Sequence, residues 1–433
     1  MTAILIVTSI SIVGMFLAFI FFQKIKIGNY ELSTFRIVPF LGAIVLLAFN
    51  LIDGQAFFSD LVSDSRINPF EILLIFFSMT FISVALDEAG FFSYLAYHVA
   101  KIAKVNQFVL FFSFYALIAI ITVFASNDVV ILTMTPFIIF LCKNSKINPI
   151  PYIVSEFICS NTWSMLLIIG NPTNIYIASF FDISFIEYFE VMIIPTILAS
   201  LTSLAIMFFL FYKDLKQPIY SKEYTKSTLD RGLAYSLMAI LLSCIAILIA
   251  SSYIDLPMWI ISASFAAFSL LFLIIYTIFK HSEGKVLLAT LIRLPYELIP
   301  FVIAMFAIVF SLNALGVTEW FADVLGDGAP LWSYGFSSLF MSDILNNIPL
   351  SVFYSEVIAK IADKAVALKA TYATIIGSNL GAYLTPVGAL AGIIWSKIVK
   401  DLGVEYSFKR FVINGTIIAI PTLVFSLLGL LVL

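Results

Sequence analysis

Phe124-Ala125-Ser126-Asn127-Asp128-Val129-Val130 places a Ser-Asn-Asp turn between two apolar runs, residues 107–125 and 129–142, with no Lys or Arg anywhere from Gln107 to Cys142. An acid in that company is costly. In hydrocarbon an ionisable side chain is excluded or paired, and irregular backbone survives only where protein or a water-filled cavity receives it, so an intramembrane Asp marks a functional site by default. The chain repeats the arrangement at Ser342-Asp343-Ile344-Leu345-Asn346-Asn347-Ile348-Pro349, inside a second apolar stretch from Pro330 to Ile361. Two interrupted apolar segments in corresponding halves point to a midplane binding site of the kind found in secondary transporters.

The rest of the chain is equally apolar. Of 433 residues, 62% are hydrophobic and 11% charged, with a mean hydropathy of +1.09, where soluble domains carry roughly 25% charged residues. Runs of about 17 to 25 apolar residues recur from end to end, the length of a membrane-crossing helix. The expected class is therefore an all-α, multi-spanning integral membrane protein that binds no nucleic acid. The first run, Ile4 to Phe22, has no basic n-region or small-residue cleavage site and reads as a retained helix. Cys142, Cys159 and Cys244 lie in apolar runs without C-x-x-C spacing and read as small buried hydrophobes.

Basic residues set the expected orientation, since Lys and Arg concentrate in cytoplasmic loops. Lys24, Lys26 and Arg36 follow the first helix and should be cytoplasmic; Asp53, Asp60 and Asp64 outnumber Arg66 in the next, outer, loop. Residues 91–104 read as an interfacial helix on the inner face. Residues 107–142, flanked by Lys101 and Lys104 before and Lys143 and Lys146 after, read as a re-entrant hairpin with Ser126 to Asp128 at its tip. Residues 151–181 form a helix broken at Gly170-Asn171-Pro172-Thr173-Asn174, where Pro lacks an N–H and Gly is permissive. A helix over 191–212 leads to a cytoplasmic linker, 213–231, between a first half (1–212) and a second (232–433). The second half repeats the plan with three scaffold helices, a hairpin over 330–361 entering from the outer face, a helix over 370–396 broken at Thr385-Pro386-Val387-Gly388-Ala389, and a last helix over 411–431. On this reading only Arg66, Lys360, Lys364 and Lys369 of the 23 bases face outward, and both termini are extracytoplasmic at the plasma membrane. His98 and His281 fall in cytoplasmic surface segments.

The halves align. Pro69-Phe70-Glu71 matches Pro295-Tyr296-Glu297 at an offset of 226 (295 − 69), and Gly90 matches Gly316 at the same offset. Asn127 meets Asn346 at 219, while Ser160-Asn161 meets Ser378-Asn379, and Gly170 meets Gly388, at 218. Five spans and one hairpin per half is an odd number of crossings, so the halves are inverted, giving ten transmembrane helices and two re-entrant hairpins with discontinuous helices at the midplane.

Each tip and each break frees backbone groups. Half-helix N-termini offer N–H donors and a positive dipole end to an anion or electron-rich oxygen, and carbonyls with Asn or Thr side chains coordinate a hard cation such as Na⁺. The candidates are Ser126, Asn127, Asp128, Asn161, Thr162, Gly170, Asn171, Thr173 and Asn174 in the first half, and Asn346, Asn347, Ser378, Asn379, Thr385 and Gly388 in the second. A candidate Na⁺ site lies at Asn127 and Asn346; no other cofactor is expected. Any one of these Asn residues could simply cap a broken helix. Asp128 stands out because its partner at offset 219 is Asn347, so one half carries a titratable acid and the other its neutral isostere; the bland alternative is an acid that only bonds the hairpin backbone. Asp343, Glu156 and Glu356 are weaker candidates. No base occurs in 107–142, 151–181, 331–354 or 370–396, so a bare multivalent anion would have only dipoles, amides and co-bound cations to neutralise it.

Three stretches resemble the ion transporter superfamily, and within it the ArsB/NhaD-like permeases: Ser126-Asn127-Asp128 with Leu132-Thr133-Met134-Thr135-Pro136; Gly170-Asn171-Pro172-Thr173-Asn174; and Gly377-Ser378-Asn379-Leu380-Gly381-Ala382-Tyr383-Leu384-Thr385-Pro386-Val387-Gly388, continued by Trp395 and Val404-Glu405-Tyr406-Ser407-Phe408. The resemblance implies two inverted repeats, a fixed scaffold, a mobile transport unit built from the hairpins and broken helices, and solute and ion contacts at Asn127, Asn346, Asn161 and Asn379. Such permeases, related to divalent anion/Na⁺ symporters, export arsenite or antimonite against protons, exchange Na⁺ for H⁺, or take up dicarboxylates and citrate with Na⁺. The Gly170–Asn174 stretch looks more like the general anion-permease form than that of arsenite pumps. The expectation is thus an ion-coupled secondary transporter working by an elevator motion, with arsenite or antimonite efflux first and carboxylate uptake or Na⁺/H⁺ exchange as alternatives. A passive channel is the reading from a different class, and a membrane enzyme is disfavoured. A homodimer is a candidate assembly, and a soluble ATPase a candidate partner if the chain is a true arsenite pump.

Overall fold

The computed structural model describes residues 2–21, 24–27, 30–62, 68–102, 106–219, 229–254, 256–280, 284–386 and 388–432. Asp64, Arg66, Lys104, His281, Val387 and residues 220–228 of the expected linker lie outside them. The chain begins with α1 (Thr2–Phe21), a two-stranded antiparallel ribbon of β1 (Lys24–Ile27) and β2 (Tyr30–Ser33), α2 (Thr34–Ala48), α3 (Gly54–Val62), α4 (Pro69–Glu88) and α5 (Phe91–Ile102). It continues through α6 (Gln107–Phe124), α7 (Asn127–Ser145), α8 (Ile150–Trp163), a 3-10 turn at Ile168–Gly170, α9 (Pro172–Phe180), α10 (Phe185–Leu210) and α11 (Tyr212–Leu215). The second half comprises α12 (Arg231–Ile254), α13 (Met258–Phe279), α14 (Lys285–Arg293), α15 (Leu298–Ala314), α16 (Val317–Leu325), α17 (Pro330–Leu345), α18 (Asn347–Ile358), α19 (Lys364–Gly381), α20 (Leu390–Asp401) and α21 (Phe408–Leu428).

Eight helices among the described residues are long and apolar enough to cross a membrane. Phe209, Ile278 and Phe279 are exposed on the outer surface of that group, while Asn, Ser and Thr side chains are buried inside it. Apolar outside and polar inside suits lipid as the solvent. The protein is a multi-pass membrane protein.

The helices pack in two groups. One holds α1, α2, α4 and α12–α15, with α1 on α2, α12 on α13, α4 on α13 and α2 on α15. The other holds α6–α10 and α17–α21, with α6 on α8, α17 on α19, α10 on α21, α7 on α20 and α9 on α18. In the last three pairs each partner comes from a different half. The contacts also match by position: α6 with α8 corresponds to α17 with α19, and α7 with α20 to α18 with α9.

The α17/α19 pair is closest because glycine permits it. A Cβ at Gly377 would sit 2.0 Å from Ser338 Oγ and 2.3 Å from the Gly335 carbonyl, and one at Gly381 would sit 1.8 Å from Ser342 Oγ. Gly377 and Gly381 form the small-xxx-small spacing that lets membrane helices approach.

Two local features depart from the sequence reading. Residues 24–27 and 30–33, in a chain expected to be all-α, pair as the ribbon. The first break spans residues 164–171, ahead of Gly170–Asn174, because Asn171 is an N-cap whose side chain accepts from Thr173 N at 3.0 Å, and Pro172 takes the first helical position. That pair starts α9 where the sequence reading had it interrupt a helix.

Candidate functional site

Four helices begin at one small cavity. Asn127 and Asp128 of α7 line it, together with Asn171 and Pro172 of α9, Asn346, Asn347 and Ile348 of α18, and Ala389 and Ala391 of α20. Each start has a local cause. Ser126 precedes α7 in extended backbone, Asn171 and Pro172 start α9, and Ala389 precedes α20 in extended backbone. Asn346 carries φ 66°, a positive value uncommon outside glycine, and so turns the chain within a single residue. By first helical residue Asn127 therefore faces Asn347, at an offset of 220 (347 − 127), one more than the sequence alignment.

The cavity is about 20 Å³, room for about one water. Each helix N-terminus acts as roughly half a positive charge, so four supply about +2 against the single carboxylate of Asp128. Asp128 is half-buried, whereas Asn127, Asn171, Asn346 and Asn347 are buried. Ser126 Oγ and Thr173 Oγ1, beside the cavity, are buried with no hydrogen-bond partner among the described residues.

Behind the cavity, amides link the halves. Asn161 Nδ2 donates to the Phe157 carbonyl at 2.8 Å, and its Oδ1 accepts from Asn127 Nδ2 at 3.1 Å. Asn379 Nδ2 donates to the Ile375 carbonyl at 2.8 Å, the same bond at an offset of 218, and also to Asn174 Oδ1 at 2.8 Å. Asn379 Oδ1 accepts from Asn171 Nδ2 at 3.2 Å and Ser164 Oγ at 3.3 Å. The Asn347 amide nitrogen, turned to face two carbonyls, meets Gly388 O at 2.7 Å and Ser378 O at 3.0 Å. Gly388 has no room for a Cβ, which would lie 2.9 Å from Asp343 Oδ1; Gly170 has none either, at 2.1 Å from the Ser164 carbonyl.

Residues 3–371 match the profile of the citrate transporter family, CitMHS. The chain belongs to that family. Among its relatives, an arsenical pump membrane protein of Escherichia coli is 27% identical over 369 residues, covering 82% of this chain and 84% of the relative. A putative arsenical pump membrane protein of Bacillus subtilis is 25% identical over 377 residues, covering 80% and 83%. A 46 kDa membrane protein of Mycobacterium leprae is 24% identical over 406 residues, covering 90% and 91%. The resemblance to ArsB/NhaD-like permeases read from the motifs thus stands, and this citrate-transporter-family chain is a membrane transporter.

Not every candidate of this permease reaches the cavity. Thr162 bonds Tyr383 Oη and the Ile158 carbonyl, joining α8 to the end of α19. Thr385 Oγ1 donates to Asp343 Oδ1 at 2.5 Å and so fixes the second break against α17. Glu156 is fully buried and accepts from Thr135 Oγ1 at 2.9 Å. The three cysteines are buried and free; Cys159 bonds the Tyr115 carbonyl and Cys244 faces Met79, so they do not converge. His98 is exposed.

One charge escaped the sequence reading. Arg36, at the start of α2, pairs with Glu297 and lies within electrostatic range of Asp128. The segments that form the cavity are free of bases, as read, but the other helix group lends one. Only the fold brings residues 36 and 128 together, and no local pattern in the sequence announces it.

Proposed function

We propose that this protein is an ion-coupled secondary transporter whose two halves are inverted repeats, each with a re-entrant hairpin, and that α6–α10 with α17–α21 move as an elevator against the other group. The observation that carries the reading is the meeting of four helix N-termini, two from each half, at one cavity beside a single acid. Asp128 is the coupling residue for H⁺ or Na⁺. Ser126, Asn127, Asn171, Thr173, Asn346 and Asn347 contact solute or ion, while Asn161, Asn174, Ser378, Asn379, Thr385, Gly170 and Gly388 hold those contacts in place.

The charge balance bears on the solute. About +2 from dipoles and −1 from Asp128, with the charge of Arg36 offset by its partner Glu297, leave close to a single positive equivalent, which suits a singly charged oxyanion or an uncharged polyhydroxyl better than a tricarboxylate. Arsenous acid or its antimony analogue is the first assignment, supported also by relatives named arsenical pump membrane proteins. The family's name favours a second reading, Na⁺-coupled carboxylate uptake, in which co-bound cations offset the extra charge.

A proteoliposome panel of arsenite, citrate, succinate, sulfate and Na⁺ under imposed H⁺ and Na⁺ gradients separates these. Gradient-driven arsenite movement without citrate movement supports the first; citrate uptake driven by Na⁺ replaces it with the second.

A further inference from the structure

The first helix group meets the second near both ends of α15, in different ways. Before its start, Arg293 Nη1 lies 2.7 Å from Asp87 Oδ2 and also pairs with Glu88, and the same Asp87 oxygen accepts from Thr133 Oγ1 of α7. Near its other end, Asn313 Nδ2 donates to Glu356 Oε2 of α18 at 3.1 Å. Asp87 and Asn313 are equivalent positions, since 313 − 87 is 226, the offset that also relates Gly90 to Gly316. In one half a carboxylate paired with an arginine accepts from a hydroxyl of the hairpin; in the other an amide donates to a carboxylate of the hairpin. The helix between them has 17 residues, about 25 Å of rise, so the two contacts lie at opposite ends of the molecule.

Space lies at the second contact. A cavity of about 350 Å³ adjoins Asn313 and Glu356, between Phe306 and Phe310 of α15 and Tyr176 and Phe180 of α9. A second, of about 670 Å³, lies at the same end on the other flank of α9, shares Phe180, and reaches Asn68 and Glu71 at the start of α4. The first leads toward the four-helix cavity along two stripes. Ile348, Val352 and Glu356 on α18, and Pro172, Tyr176 and Phe180 on α9, step by four residues, about 6 Å each, from one cavity to the other.

From this asymmetry we infer that the 350 Å³ cavity is the solute's access vestibule in this conformation, and that the Arg293–Asp87–Thr133 cluster is the latch that shuts the route at the opposite end. The inference rests on the alternating-access reading and adds to it which end is open and what holds the other closed. The vestibule's charged lining, Glu319 and Glu356 against Lys360, disfavours a multivalent anion and passes a neutral solute or a cation. Moving the mobile group requires Thr133 to leave Asp87, while Arg293 stays with Asp87 on the same helix group and keeps the acid from being stranded.

A water-soluble maleimide, which modifies thiols only where water reaches them, tests this on the full chain in detergent micelles, where both ends of the molecule meet the reagent. Phe180→Cys reports the vestibule, and Phe137→Cys, the position matching Glu356 at an offset of 219, reports the closed side; the three native cysteines are buried and give the background. Cysteine at 180 should label faster than at 137. Thr133→Val, which removes one hydroxyl and keeps the ion pair, should shift the ratio of the two rates toward 137 by about five-fold, and Arg293→Met should shift it further. Equal labelling at the two positions, or a ratio unmoved by Thr133→Val in protein that stays monodisperse, overturns the inference. Labelling needs neither solute nor gradient, so it fails or succeeds independently of coupling through Asp128.

Discussion

Asn379 spends its side chain almost entirely on the other half of the molecule. Its oxygen accepts from Asn171 and Ser164, and one amide proton goes to Asn174, while the second returns to the Ile375 carbonyl of its own helix. Asn161, its counterpart at offset 218, makes the same return bond but uses its oxygen to hold Asn127 at the cavity wall. The two should therefore fail differently. Asn379→Ala strands two buried polar groups, Asn171 Nδ2 and Asn174 Oδ1, each worth about 1–3 kcal/mol when left unpaired, and should lower the thermal unfolding midpoint in detergent clearly. Asn161→Ala strands one, and should reduce transport more than it reduces that midpoint. A drop in midpoint for Asn161→Ala as large as for Asn379→Ala would contradict this division. The residue types were legible in the sequence, because amides at broken apolar helices have few other uses. Their partners were not: an offset says which residues correspond, not which touch, and Asn171 and Asn379 are 208 positions apart.

Helix ends and helix contacts carry the next level. The sequence showed where backbone regularity fails, through Ser-Asn-Asp, Asn-Asn-Ile-Pro and Gly-Asn-Pro-Thr-Asn, since Pro and capping side chains act locally. It did not show on which side of Gly170–Asn174 the irregular stretch falls, because an N-cap with Pro at the first position reads equally as an end or a beginning until the preceding turn is seen. The closeness of α17 and α19 was likewise hidden, as Gly377 and Gly381 are informative only against Ser338 and Ser342 of another helix. Gly381→Ala would put a methyl group 2.6 Å from the Leu339 carbonyl as well as against the Ser342 hydroxyl. Overpacking of this kind costs about 1–3 kcal/mol, and Ser342→Ala should restore only part of the lost midpoint, because the carbonyl remains. Full rescue would show that the hydroxyl alone was in the way. At Gly170 the obstacle is backbone, the Ser164 carbonyl, so Gly170→Ala should move the start of α9 and reduce transport even where the protein still assembles.

Across the whole molecule, two groups of helices meet along an interface where, at one end, Asp87 of the first group, paired with Arg293, accepts from Thr133 of the second, and where a cavity of about 350 Å³ lies at the other, with the four-helix cavity within the second group. The apolar surface and the all-helical, membrane-crossing character were readable from composition and run length, since lipid imposes those on any sequence that crosses it; of the ten expected spans, eight helices among the described residues are long and apolar enough. The nearness of Arg36 to Asp128 belongs only to the assembled molecule. A positive charge of one group thus acts on the acid of the other, and under the proposed movement between groups that influence would change. Gradient-driven transport by Asp128→Asn in proteoliposomes, measured beside gradient-free exchange of the same solute, tests the central claim most directly. The account predicts that the response to an imposed H⁺ or Na⁺ gradient falls by about five-fold or more while exchange persists; gradient-driven transport at the unmodified rate would contradict it.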